Sequence, residues 1–144
     1  MICTFFGHRD CYGLDEERLR SAIGVLIQQG TDTFYVGNQG SFDSIVRSYL
    51  KMLQGRYPHI RYHVVLAYLP VKKREYDGFS DTVFPEEIAS VHPKFAIDCC
   101  NRYLIDTADI CLCYVNQTWG GVYKFARLAK CRGLRIFNLG SAQL

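Results

Sequence analysis

The chain has 144 residues, 49% of them hydrophobic and 22% charged, which excludes a disordered polypeptide and allows a buried core without disulfide staples. A net charge of +3 is too small to signal a nucleic-acid coat, which leaves room for a local basic patch but makes nucleic acid the less expected partner. The first residues lack a basic start, a long apolar span and a small-residue cleavage site, so no membrane anchor is expected, and an odd count of seven cysteines fits a reducing cytoplasm.

Ile2-Cys3-Thr4-Phe5-Phe6 reads as a strand ending at Gly7, followed by a loop with His8, Arg9 and Asp10. Leu14-Asp15-Glu16-Glu17 then places acidic groups at the positive end of a helix, whose Leu19, Ala22, Ile23 and Leu26 recur at helical spacing until Gly30. The unit repeats. Thr33-Phe34-Tyr35-Val36 is a strand, Gly37 to Gly40 a turn, and Ser41 a cap for a helix with the stripe Phe42, Ile45, Val46, Tyr49, Leu50 and Leu53. Gly55 and Tyr57-Pro58 close that helix, and a third strand runs from Tyr62 to Tyr68.

Residues 69–92 show no strong period and contain Lys72-Lys73-Arg74. A stretch of this length either covers a site or is a solvated excursion with a short helix near Pro85 to Ala89. Pro93 suits the first turn of the next helix, where Ile97, Cys100 and Leu104 share a face. Ile110 to Val115 is apolar without alternation, as in a central parallel strand covered on both sides. Its Cys111 and Cys113, like Cys99 and Cys100, lack zinc-ribbon or thioredoxin spacing, so no metal site is expected and no cofactor is required. After the turn Asn116 to Gly121, Val122, Phe125, Ala126 and Ala129 mark a last helix, and Leu134 to Leu139 a last strand. The alternation predicts one α/β domain over 1–144: a three-layer Rossmann-like open sheet of about five mainly parallel strands, flanked by helices. Such sheets receive ligands at the carboxyl ends of their strands.

Two glycine-rich turns carry the functional expectation. Glycine lets the backbone approach an anion closely, and the free amides of the helix that follows point at it. On this basis Gly7, Gly37, Asn38, Gly40, Ser41, Gly120 and Gly121 are expected around one shared site. Arg9 either clamps a phosphate with its planar fork, the favoured reading, or bridges Asp10 or an acidic helix start at the surface, and His8 would either donate to that phosphate or pack at the strand end. Asp43 either complements the helix dipole or accepts hydrogen bonds from a ribose or base. Asp98 and Arg102, four apart, pair on a helix face, and Arg102 becomes a second phosphate clamp if that face meets the pocket. Trp119 stacks on a base or anchors its turn. The P-loop lysine and the full dinucleotide fingerprint are absent, so neither ATP hydrolysis nor hydride transfer follows.

Gly7-His8-Arg9, Tyr35-Val36-Gly37-Asn38-Gln39-Gly40-Ser41-Phe42-Asp43, Asn101-Arg102-Tyr103-Leu104-Ile105-Asp106-Thr107-Ala108-Asp109 and Trp119-Gly120-Gly121 resemble the SLOG superfamily, and within it the small YpsA-like proteins. The resemblance implies a Rossmann-like domain that binds nucleotides or their derivatives, including ADP-ribose-like signals, often as a homo-oligomer. The superfamily also contains the LOG phosphoribohydrolases and the DNA-binding DprA proteins. The hydrolases carry Pro-Gly-Gly-x-Gly-Thr-x-x-Glu, whereas this chain has Trp119-Gly120-Gly121-Val122-Tyr123-Lys124-Phe125-Ala126-Arg127. An arginine in the glutamate position cannot act as a carboxylate. The first reading is therefore binding or sensing of a nucleotide-derived small ligand. The alternative is N-glycosidic hydrolysis or transfer with Asp43, Asp98 or His8 replacing the glutamate. The third is single-stranded nucleic-acid binding, suggested by Lys72-Lys73-Arg74 among aromatic residues.

Overall fold

The computed structural model describes residues 1–68 and 81–144. Its first strand, β1 (Ile2–Gly7), has apolar side chains on both faces and lies inside a sheet with β2 (Thr33–Val36), β3 (Arg61–Val65), β4 (Thr82–Val83), β5 (Ile110–Tyr114) and β6 (Arg135–Asn138). Among the described residues the order is β4-β3-β2-β1-β5-β6, and every neighbouring pair is parallel. The helices are α1 (Glu16–Gln28), α2 (Ser41–Arg56), the single-turn α3 (Glu86–Ala89), α4 (Ala96–Thr107) and α5 (Gly120–Cys131).

This is the three-layer Rossmann-like arrangement expected from the alternating pattern, with one strand more than the pattern gives. β4 and α3 both fall in the stretch read as a loop: α3 is the expected short helix, while β4, only two residues long, is too short to leave a periodic signal. Lys72, Lys73 and Arg74 lie outside the described residues.

Side-chain alternation divides the core into two layers. Cys3 and Phe5 of β1, with Ile110 and Leu112 of β5, pack against Leu19 and Ile23 of α1 and Val46 and Leu50 of α2. Phe6, Cys111 and Cys113 point the other way, toward Cys100 and Leu104 of α4 and Phe125 and Ala129 of α5. Four of the seven cysteines are thus buried core residues, and all seven are free thiols. Each fully buried Leu, Ile or Phe contributes about 1.5–3 kcal/mol to holding its helix on the sheet.

The strand order fixes where a ligand can enter. The chain steps outward from β1 to β4, then crosses back to lay β5 on the other flank of β1, so the order reverses between these two neighbours. A crevice opens there at the carboxyl ends, with the start of α2 on one side and α4 and α5 on the other.

Two end caps differ in kind. Asp15 caps α1, its carboxylate accepting from the Arg18 amide at 3.1 Å. Ser41 does not cap α2 as expected: it is the first helical residue, and Gly40 precedes it with φ +93° and no side-chain cap. The extended conformation a serine cap needs is replaced by a left-handed glycine that turns the chain sharply into the helix.

The end of β5 is held by Asn138. Its Oδ1 accepts from the Val115 and Gly140 amides, both at 2.9 Å, and its Nδ2 donates to the Val115 carbonyl at 3.1 Å and the Ala142 carbonyl at 2.8 Å. The side chain thereby acts as a short piece of strand. Asn138→Ala removes all four bonds and is expected to lower stability by about 2–4 kcal/mol, read from urea denaturation midpoints.

Candidate functional site

The loops after β1 and β2 are knitted together by glycines. A Cβ on Gly7 would lie 2.0 Å from the Phe42 ring, so the first turn of α2 packs directly on the end of β1. The Ser41 amide donates to the Arg9 carbonyl at 3.0 Å, and a Cβ on Gly40 would come within 2.9 Å of Arg9 Cγ. The Gly37 to Gly40 turn is closed from inside: the Gln39 amide donates to Asp43 Oδ2 at 2.9 Å, and Arg47 donates to the Gly37 carbonyl at 3.1 Å. Two amides that glycine spacing assigns to an incoming anion are therefore already engaged by the protein.

The second turn is different. Trp119 precedes α5 without a side-chain cap, Gly120 has φ +89°, and a Cβ on Gly121 would meet nothing within 4 Å. The start of this twelve-residue helix is open, so the positive end of its dipole faces free space.

Both turns border one cavity of about 370 Å³ at the carboxyl edge. Gly7, Arg9, Gly37 and Asp43 line one side, and Gly121 with Val122 the other. Phe5, Phe6, Ile97, Leu104 and Phe125 supply an apolar wall, while Gln39 and Asn101 add neutral polar groups. The exposed Arg9 side chain makes no ion pair among the described residues.

Asp43 is the unusual group. It is only 8% exposed, and burial pushes its carboxyl up to about 6, against the Gln39 hydrogen bond and the nearby Arg47, which both pull it down. Its Oδ1 accepts no hydrogen bond from a described residue. A carboxylate beside a cavity with one oxygen open is an acceptor in search of a donor. Cys100 also lines the cavity, but burial and Asp43 raise its thiol to about 12, so it stays protonated and unreactive.

Other expected site residues stand apart from the lining. His8 accepts the Asn116 amide on Nε2 at 2.9 Å and meets the Tyr114 ring edge-on at 5.8 Å, so it braces the β1 and β5 loops against each other and lies outside the cavity lining. Asn38 is half-buried at the turn, and Ser41 is exposed beside it. Arg102 is paired with Asp98 at 2.8 Å, and Asp98 also holds Lys124 at 3.3 Å, tying α4 to α5 on the solvent side. Trp119, 67% exposed, neither fills the cavity nor anchors its turn. Gly120 starts α5 outside the lining. Arg127, standing where the hydrolase motif has its glutamate, is exposed on α5.

Sequence reasoning missed Arg47, Asn101 and Asn138. Arg47 was detectable as the i+4 partner of Asp43 on α2, and Asn138 as a lone amide inside an apolar strand. Asn101 gives no signal beyond its neighbourhood to Arg102.

No family model matches the chain, and no curated protein matches it. Among solved structures it is similar to DNA processing protein A from Helicobacter pylori, described for a unique single-stranded DNA binding mode. The TM-score is 0.67 at 13% identity, over 96% of this chain and 64% of that one. The likeness is one of fold, and the chain spans a little under two thirds of the neighbour. It nevertheless corrects the expectation against a nucleic-acid partner, because this fold occurs in a protein that binds single-stranded DNA. Net charge sums the whole surface, whereas a strand is held by local cations and aromatic faces. Among the described residues no helix is long and apolar enough to cross a membrane.

Proposed function

We propose that this chain is a single SLOG-type, YpsA-like domain that binds a nucleotide-derived ligand at the carboxyl edge of its sheet, in a reducing compartment such as the cytoplasm. The phosphate sits at the start of α5 with Arg9 beside it, and the nucleoside enters the apolar part of the cavity. One observation supports this reading above the others: a single cavity joins an uncapped helix start, a guanidinium with no ion pair among the described residues and a buried carboxylate with one oxygen that accepts from none of them. Anions gain from the first two, and hydroxyl or amine donors from the third. Calorimetry across adenine nucleotides, NAD and ADP-ribose is expected to give at least one saturable ligand, with Arg9→Ala weakening it about tenfold or more. No binding by any of them, or an unchanged affinity in the variant, defeats the reading.

A second reading, single-stranded nucleic acid at the same edge, has its own support. Tyr12 is 89% exposed and Trp119 67% exposed, and they follow the neighbouring strands β1 and β5, with Arg9 in the same loop as Tyr12. Exposed rings beside a free cation form a stacking platform for successive bases. Fluorescence anisotropy with a labelled single strand is expected to show binding that weakens as salt rises and falls about tenfold in Trp119→Ala. Salt-independent or Trp119-independent binding counts against this reading.

A further inference from the structure

We propose that Asp43 reads the sugar of the bound nucleotide, accepting a hydrogen bond from a ribose hydroxyl on Oδ1, so that the site selects ribonucleotides over deoxyribonucleotides. This rests on the nucleotide reading above and adds the class of sugar. Asp43 Oδ2 is fixed by the Gln39 amide and lies so close to Gly37 that a Cβ there would sit 2.9 Å from it, which locks the carboxylate's orientation. The remaining oxygen belongs to a residue that lines the cavity. An ionised carboxylate only accepts, so the ligand must bring the donor.

Hydroxyls and base amines are the two donors a nucleotide offers, and the placement of Asp43 favours the hydroxyl. Arg9 packs on Gly40 while Asp43 packs on Gly37, three residues away in one tight turn. The cation-bearing residue and the acceptor thus border one turn on the same side of the cavity, an arrangement that suits a phosphate and the sugar attached to it, whereas a base edge extends beyond the sugar. The apolar side chains Phe6, Leu104, Val122 and Phe125 suit the faces of that base and offer it no charge. A buried acceptor left without its donor on binding is penalised, and this penalty is what rejects a sugar lacking the hydroxyl. A 2′-hydroxyl is also the group by which a protein distinguishes RNA from DNA.

The test compares adenosine 5′-monophosphate with its 2′-deoxy and 3′-deoxy analogues by calorimetry, and an oligoadenylate RNA with its DNA counterpart by anisotropy, in the native protein and in Asp43→Asn. Asparagine keeps the shape and an acceptor for the Gln39 amide, so the turn remains folded. Removal of one hydroxyl is expected to weaken binding at least tenfold in the native protein and less than about threefold in the variant. The RNA arm shows the same preference if the ligand is a strand. Equal affinity for ribo and deoxy ligands overturns the proposal while leaving the nucleotide reading intact. A preference that follows the base and ignores the sugar overturns it too, as does discrimination unchanged in Asp43→Asn. Absence of binding to every probe overturns the proposal, and when NAD and ADP-ribose fail as well it overturns the nucleotide reading with it.

Discussion

Replacing Asp43 by asparagine is expected to stabilise the free protein by about 3 kcal/mol at pH 8 and to leave it nearly unchanged below about pH 4. The sign follows from the direction of the shift. The carboxyl is raised from the ordinary aspartate range to about 6 in the folded chain, so between those two values the folded state holds a proton that the unfolded state has released. Stability therefore falls as pH rises through this window and stays low above it. Burial is the cause, and the Gln39 amide and Arg47 offset only part of it. Asparagine makes the same bond to Gln39 without a charge to desolvate. Urea midpoints at several pH values for both proteins measure the effect directly, and a variant less stable than the native chain at pH 8 would show that the ionised carboxylate holds the turn together. A group that destabilises the empty protein in this way is characteristic of a binding or catalytic position.

The fold was legible because its signals are repetitive. The stripes Leu19-Ile23-Leu26 and Val46-Leu50-Leu53 have helical spacing, the run Ile110 to Tyr114 is apolar on both faces, and together they allow only an alternating parallel sheet. β4 was not legible, since two residues cannot show a period and its pairing with β3 comes from tertiary packing. The site was legible as a location and less so in its details. Glycine marks close approach of backbone, but spacing does not say what approaches: at Gly7 it is the Phe42 ring, at Gly40 the Arg9 stem, and at Gly121, beside the cavity, open space. The partner of a hydrogen bond is equally hidden: of the two readings of His8, packing at the strand end matches its contact with Tyr114, but nothing in the spacing points to the Asn116 amide that it accepts. Charge summed over the chain hides the most, because exposed rings such as Tyr12 and Trp119 contribute nothing to it.

Gly121→Asp is expected to weaken anion binding at least 100-fold, about 2.7 kcal/mol, while leaving thermal stability equal or higher. Gly121 lies in the first turn of α5, its φ is not positive, and no atom lies within 4 Å of a Cβ built there, so aspartate enters without strain. Once in place the new carboxylate complements the helix dipole and occupies the open amides, which favours the folded chain by about 0.3–1 kcal/mol. The same position lines the cavity, so the charge repels and displaces the ligand's own anion. Separate outcomes for folding and binding are what distinguish this substitution from a general disruption. Gly121→Ala supplies the steric control: it narrows the same space without charge and is expected to cost less than about tenfold in affinity. Equal losses in the two variants would make the effect one of shape, and native-like binding by Gly121→Asp would remove the start of α5 from the site, leaving Arg9 as the cation for the phosphate.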